Sequence, residues 1–436
     1  MSKASRFRAS IAFLTLALLW TEVSAETFDA PGLVESRDFL STELLVGDSW
    51  HVEPEAMSLG LFNRYTIQSP YGAWQAVGPT QVLARIMEAQ ALAELDRVSK
   101  SEVFLAAVKQ SVTAPLELVE DLATRPVDTL KGIPSGAGRW FRRTQFRVQE
   151  RMHDLESMAR TADSGAEESS EPKSTLDDLK ERGEQEARGL ALDHLRISSA
   201  EHRWYRRLRV DPSTDNEVLR EAIRSVARVE GLTSFGMKFV VPSIPGTRQV
   251  RRTMDLVWET DPWDLRLMNR QRLLAAGLSE ETTRRFEDHP SWTLTRQTAL
   301  LEALSALEGV RGGEFVLATA IDSSSAVEAE LLISAVSQLG RFHREQAPLE
   351  ECLGASRLPV VRTSDGRLVA ILPAERLLWT ADLAAAAQEF SGELQEHPAK
   401  ARELWVSGQA TEGFRSGIAS LGWALKSWDA ESEPSS

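Results

Sequence analysis

The sequence predicts an α+β fold, mostly helical: an N-terminal hairpin plus helices, a central helical region, and a small C-terminal α/β domain with a mixed sheet. Three observations carry this. Asn63–Gln68 alternates apolar and polar residues, Ser69-Pro70-Tyr71-Gly72 follows, and Ala73–Val77 returns as a second strand. Alternation of period two marks a half-buried strand, and Pro and Gly so placed make a tight turn. Through the middle of the chain, apolar residues recur at helical spacing between helix start and stop signals. Near the C-terminus, Leu358–Leu372 carries Asp365-Gly366 between two apolar runs, a strong hairpin signal, and helical and strand patterns alternate after it.

In chain order, residues 1–25 read as an export signal. Lys3, Arg6 and Arg8 precede the apolar run Ile11–Trp20, and Val23 and Ala25 supply small residues for cleavage after Ala25. The run is shorter than the roughly 20 apolar residues a membrane span needs. The expectation is therefore an exported, periplasmic chain, with retention of the signal as an anchor the alternative. After the hairpin, Pro79-Thr80 opens a helix to about Val98, with Val82, Ile86, Ala89 and Ala93 on one face. Ser99 and Glu102 form a capping box for another helix.

From Ala114 to Phe141, Pro115, Pro126 and Pro134 each open a short apolar segment. Proline is tolerated in a first helical turn and not inside a helix, so this region reads as short helical pieces strung together. Residues 153–190 change character. Asp154–Leu190 holds eleven acids and five bases without apolar periodicity, which marks an acidic disordered linker and a domain boundary. The expected division is a signal at 1–25, an N-terminal α+β region at 26–152, the linker, a helical domain at 191–310, an α/β domain at 311–430 and a tail at 431–436.

In the helical domain, Thr214 and Glu217 make a capping box before Val218–Val229. Gly277 stops the helix Pro262–Ala276, Ser279 starts the next, and Thr295–Leu307 is a further amphipathic helix. Gly231–Gly246 is apolar but broken by Gly and Pro and reads as a buried or partner-facing loop. In the α/β domain, Glu314–Ile321 reads as a buried strand, Ser325–Phe342 as a helix, and Ala381–Phe390 as a helix after the Asp365-Gly366 hairpin. Glu403–Gly408, Ala410–Leu421 and Gly422–Trp428 then read as strand, helix and strand.

Charge excludes one class of partner. The formal net charge is -14, and removing the signal takes away three basic residues and one acid, Glu22, to leave -16. The phosphate field repels such a chain, so nucleic acid is not an expected partner. Cys352 is the only cysteine, which rules out an internal disulfide and a multi-cysteine metal site. Glu350 and Glu351 flank it and oppose thiolate formation, so it reads as a buried or inert thiol. No histidine pair has zincin spacing, and Gly309–Phe315 lacks the Lys and the spacing of a phosphate-binding loop. His194 and His202 fall eight apart on one helical stretch, and His289 in Glu287–Pro290 sits at a helix end. No cofactor and no metal are expected.

Two short stretches carry resemblances. Gly47-Asp48-Ser49-Trp50 resembles the opening of the GDSL esterase/lipase signature over four residues, with Trp50 where the family has Leu. The resemblance implies a nucleophilic Ser49 after a buried strand, for which Glu43–Val46 is available, and a histidine base from a late Asp-x-x-His. Beyond His51, which directly follows the stretch, no histidine has Asp three residues before it, so the stretch reads as a polar turn entering the strand Trp50–Glu53. Asp322–Ala326 is similar to the Asp-x-Ser-x-Ser metal-dependent adhesion motif of von Willebrand A domains. Ala326 stands where the last hydroxyl ligand would be, and Ser325 with Glu328 makes a helix capping box.

Arg139–Arg143 (Arg-Trp-Phe-Arg-Arg) returns as Arg203–Arg207 (Arg-Trp-Tyr-Arg-Arg). In the second copy Ile197, Ala200, Trp204 and Leu208 share one helical face, so Trp204 reads as core and its arginines as a solvated face, with Asp211 a partner. The first copy sits in Arg139–Arg151, which holds five arginines against Glu150 alone. Cationic heads on aromatic bodies suit a membrane interface. Arg139, Trp140, Phe141, Arg142, Arg143 and Arg147 are thus the candidate contact residues for an anionic membrane surface or an envelope protein, unless the acidic linker satisfies them. The expected function is that of an exported, non-enzymatic envelope protein with a peripheral membrane or protein-interaction role. The alternative is a periplasmic hydrolase with Asp322 and Ser324 at a strand end of the α/β domain, where ligands of such sheets bind.

Overall fold

The structure, a computed structural model, describes residues 28–100, 199–227, 248–354 and 358–428. The export signal, the proline-punctuated pieces, the acidic linker, the Gly231–Gly246 loop, Glu102, His194 and all six candidate contact residues lie outside the described residues.

The fold is α+β. At the N-terminus, β1 (Gly32–Glu35), β2 (Val46–Gly47), β3 (Trp50–Val52), β4 (Glu55–Ser58), β5 (Asn63–Ser69) and β6 (Gly72–Val77) form one antiparallel sheet in the order β1-β4-β5-β3-β2, with β6 on β5. The expected hairpin is β5–β6, paired from Arg64↔Val77 to Ser69↔Gly72. A short helix, α1 (Thr42–Leu45), stands where Glu43–Val46 reads as a strand. It buries Leu44, and Val46 continues as the first residue of β2.

Helix α2 (Gly78–Ser99) joins two cores. Val82, Leu83 and Ile86 pack against Tyr65, Ile67 and Ala76 of the sheet. Further along, Ala91, Leu92, Leu95 and Val98 pack with Trp204, Leu208, Leu219 and Ile223 of α3 (Ser199–Leu208) and α4 (Glu217–Ala227). A helix of this length spans about 33 Å, enough to present a different stretch to each partner.

The middle of the chain is helical: α5 (Arg248–Glu259), α6 (Pro262–Ala275), α7 (Glu280–Glu287) and α8 (Leu294–Ser305). Gly277, at φ +94°, ends α6, and the Ser279 hydroxyl caps α7 by accepting from the Thr282 N–H. At α4 the capping expectation is corrected. Asn216, not Thr214, caps this helix, its Oδ1 accepting from the Leu219 N–H at 3.1 Å. The Thr214 hydroxyl instead accepts from the Asn216 N–H and donates to Glu88.

Glu314–Ile321 is helix α9 (Gly313–Ile321), not the expected strand. Val316, Leu317 and Ala320 face the core while Glu314, Phe315 and Ala318 are exposed, a helical alternation that a short apolar run conceals. Gly312 launches the helix at φ +83°, where a Cβ would lie 2.4 Å from the Cys352 carbonyl oxygen. Helix α10 (Ala326–Glu345) follows.

The C-terminal sheet is mixed, in the order β13-β11-β9-β8-β7. β7 (Leu349–Leu353), β8 (Val360–Thr363) and β9 (Leu368–Leu372) form an antiparallel meander turning at Asp365-Gly366. β9, β11 (Arg402–Val406) and β13 (Ala424–Ser427) run parallel, joined through α11 (Ala381–Glu393) and α12 (Glu412–Ser420). β10 (Arg376–Leu377) and β12 (Gln409–Ala410) pair beyond the ends of β9 and β11. One face of the sheet packs Val361, Val369, Ile371 and Trp405 on α10 and on Trp292, Leu300 and Val316 of the helical region. The other packs Leu368, Ala370, Leu404 and Val406 on Phe414 and Ile418 of α12 and Ala384 of α11.

Candidate functional site

The carboxyl ends of parallel strands are where an open α/β sheet offers a ligand crevice. In this chain the N-terminal region occupies them. After β9 the chain turns outward through Pro373 and Ala374 to Glu375. Gly408, just past β11, packs so closely that a Cβ there would lie 2.2 Å from the Ala374 carbonyl oxygen and 2.3 Å from that of Glu375. The Glu375 N–H donates to the Leu61 carbonyl at 2.8 Å, and the Leu378 N–H to that of Gly60 at 3.1 Å. The Glu375 carboxyl reaches back to β5. Its Oε2 accepts from the Asn63 N–H at 2.8 Å and its Oε1 from the Tyr65 hydroxyl. Asn63 Nδ2 donates to the Tyr65 oxygen at 3.2 Å, while Asn63 Oδ1 is buried with no hydrogen-bond partner among the described residues.

Burial raises the Glu375 carboxyl to about 7, against the Asn63 N–H and the Tyr65 hydroxyl, which favour the ionised form. Burial, then the neighbouring Glu375, pushes the Tyr65 phenol far above its ordinary range. A second tie lies beside the first. Asp29 Oδ2 accepts from the Trp379 N–H at 2.7 Å and from the Thr411 hydroxyl at 2.6 Å, at the start of α12.

Two further acids, Glu88 buried and Glu330 half-buried, cross-link elements. Glu88 on α2 accepts from Arg85 Nη1 at 2.8 Å, from Asn216 Nδ2 at 2.9 Å and from the Thr214 hydroxyl. Glu330 on α10 accepts from Arg296 Nη2 at 3.0 Å and from Gln81 Nε2 at 3.2 Å, and burial raises its carboxyl while Arg296 opposes this. Nearby, Asp211 accepts from the Thr295 hydroxyl at 2.6 Å and the Ser213 N–H at 2.8 Å.

The motifs singled out in the sequence resolve as follows. Gly47–Trp50 is the turn between β2 and β3. The Trp50 ring lies over Gly47, where a Cβ would come within 2.2 Å of it, and its Nε1 donates to the Leu44 carbonyl at 3.1 Å. Ser49 is buried there, and among the described residues no hydrogen bond joins it to His51. Asp322 and Ser324 lie between two helices, α9 and α10, and not at a strand end. The strand-end placement expected for these two residues is therefore corrected. Ser325 caps α10 by accepting from the Glu328 N–H, and the Glu328 carboxylate accepts from the Ser324 N–H at 2.6 Å and hydroxyl at 2.8 Å.

Cys352 is buried on β7, and burial, then Glu314 and Glu351, raises its thiol to about 11. His289 accepts from the Ser291 N–H at 3.2 Å, and Glu287 pairs with Arg270 at 3.1 Å, so the acids and the histidine of this stretch have separate partners. Trp204 is core, with the Arg207 guanidinium 5.5 Å from its ring centre. Asp211 binds Thr295 and Ser213 and is not the partner of these arginines.

An open groove of about 560 Å³ runs along α5, α6 and α8. Its charges pair across it, Arg272 with Glu302 at 2.8 Å and Arg252 with Glu302 at 3.5 Å. Among the described residues, no three His, Cys, Asp or Glu side chains gather as a metal-holding group. Among them, no helix is long and apolar enough to cross a membrane.

Sequence reasoning missed Glu375, Tyr65, Asn63 and Asp29. One signal was available elsewhere: Gln81, Arg85 and Glu88 recur at spacings of four and three, a polar line on one side of the helix. Fold and junction together define an α+β protein whose N-terminal sheet is docked on the strand ends of a mixed C-terminal sheet. Comparison with protein families, with curated proteins and with solved structures gives no match.

Proposed function

We propose that this is an exported, non-enzymatic envelope protein that contacts an anionic membrane surface or an envelope partner through Arg139, Trp140, Phe141, Arg142, Arg143 and Arg147. The carrying observation is the charge inversion at Arg139–Arg151: five arginines and one acid, interleaved with Trp140, Phe141 and Phe146, in a chain of net charge -14. Such a segment concentrates attraction for anionic headgroups that the rest of the chain repels, while its aromatic bodies suit the interfacial layer. Two further observations support this reading. The buried acids Glu88 and Glu375 and the half-buried Glu330 each hold distant segments together through specific donors. Ser324 is bonded to Glu328 at the start of α10, and Asp322 ends α9.

Flotation of the protein without residues 1–25 on vesicles containing anionic lipid tests the membrane contact. The expected result is co-flotation that weakens with salt and is lost when Arg139, Arg142, Arg143 and Arg147 are changed to Glu. Equal recovery of the parent and the changed protein would sink the membrane contact and leave the protein partner.

A further inference from the structure

We propose that Glu375, Tyr65 and Asn63 form a proton-operated latch that holds the N-terminal sheet on the C-terminal sheet when Glu375 is protonated and loosens when it ionises. Asn63 and Tyr65 act on Glu375 from β5, and Leu61 binds it from the loop before that strand. Arg376, its chain neighbour on β10, is half-exposed, and Gln409 on β12 offers only its backbone N–H, to the Glu375 carbonyl. Asp29, the other acid of the junction, is engaged by Trp379 and Thr411. Glu375 as a whole is 9% exposed. Among the described residues, a charge placed there is therefore held by two neutral donors and by no cation hydrogen-bonded to it, the arrangement in which burial favours the neutral acid.

The hydrogen bonds can run in either direction. With Glu375 ionised, Asn63 Nδ2 donates to the Tyr65 oxygen and Tyr65 donates to Glu375 Oε1, as observed. Taking up one proton from solvent on Oε1 reverses the chain. The carboxyl O–H then donates to the Tyr65 oxygen, and the Tyr65 hydroxyl donates to Asn63 Oδ1 once the amide turns over. No other bond forms or breaks.

The docked carboxyl titrates at about 7, and its ordinary value is 4.5. The docked state thus binds the proton more tightly. Docking is strongest below the ordinary value and weakens as the pH rises through the docked one. With these two values the docking constant falls about thirtyfold between about pH 5.5 and about pH 8.5.

Hydrogen exchange of the full chain reads this directly. The reporters are four of the backbone N–H groups that donate across the junction, those of Asn63, Glu375, Leu378 and Trp379. After correction for intrinsic exchange, their protection is expected to fall by that factor over the interval. Glu375→Gln imitates the protonated acid, accepting from Asn63 and donating to Tyr65, and is expected to keep its protection at the higher pH. Tyr65→Phe deletes a donor to the carboxylate and is expected to move the transition to higher pH. Protection that stays constant or rises with pH, or the parent's pH dependence persisting in Glu375→Gln, would overturn the latch. The latch is independent of the membrane contact, so flotation can fail while this transition is observed.

Discussion

At Glu88 a buried carboxylate is shared among Arg85, Asn216 and Thr214, and all three donors lose their partner if it is removed. The Arg85 guanidinium is itself mostly buried, with 18% of its side chain accessible, and its other partner is the exposed Asp215. Breaking a buried pair by deleting one member leaves an uncompensated charge, which costs several kcal/mol. Glu88→Ala is therefore expected to destabilise the protein by about 3 kcal/mol, seen in urea as a lower midpoint at unchanged slope. Glu88→Gln keeps acceptor and shape and should lose less. Trp204 shows the same dependence on setting. Its core position was legible because Trp204 and Leu208 share a helical face, but the fate of Asp211 was not. Asp211 meets Thr295, 84 positions away, and nothing local announces that pairing.

Among elements, capping and turn chemistry were the readable features. Asp365-Gly366, Gly277 and Ser279 stand where the structure places a hairpin turn, a helix stop and a helix start. These signals are local, since each depends on φ or on one side chain bonding a nearby backbone group. Ser325 belongs with them. Its hydroxyl satisfies the Glu328 N–H, so Ser325→Ala is expected to cost about 1 kcal/mol in thermal or urea unfolding. Two errors mark the limit of local reading. At α4, Thr214 and Asn216 both have side chains able to cap, and the choice is made by Glu88 on another helix. At α9, an apolar run of eight residues fits a buried strand as well as a helix. The helix wins because Gly312 turns the chain over β7, where Val316, Leu317 and Ala320 meet the core.

At the scale of the whole molecule, the strand end expected at Asp322 and Ser324 lies between two helices, and the occupant of the true strand ends was not foreseen. Strand β9 and the helix after it were legible from apolar runs and turns, and Glu375 falls just beyond them as one acid between Ala374 and Arg376. Its partners Asn63 and Tyr65 lie about three hundred positions earlier, and only tertiary docking brings them together. The alternation in Asn63–Gln68 tells that Asn63, Tyr65 and Ile67 share a face, not what that face meets. With Asp29 on Thr411 and Trp379, the junction ties the start of the described chain to its last helix. Contacts of such sequence separation organise the molecule globally, and the buried acid within them makes that organisation sensitive to protons.

A double-mutant cycle on Tyr65→Phe and Glu375→Ala, with unfolding free energies measured at about pH 5.5, tests this docking most directly. If the two side chains bond across the junction, the changes are non-additive, with a coupling on the order of 1–2 kcal/mol. Additive effects, with a coupling within about 0.3 kcal/mol of zero, would mean that Tyr65 and Glu375 do not join the two sheets.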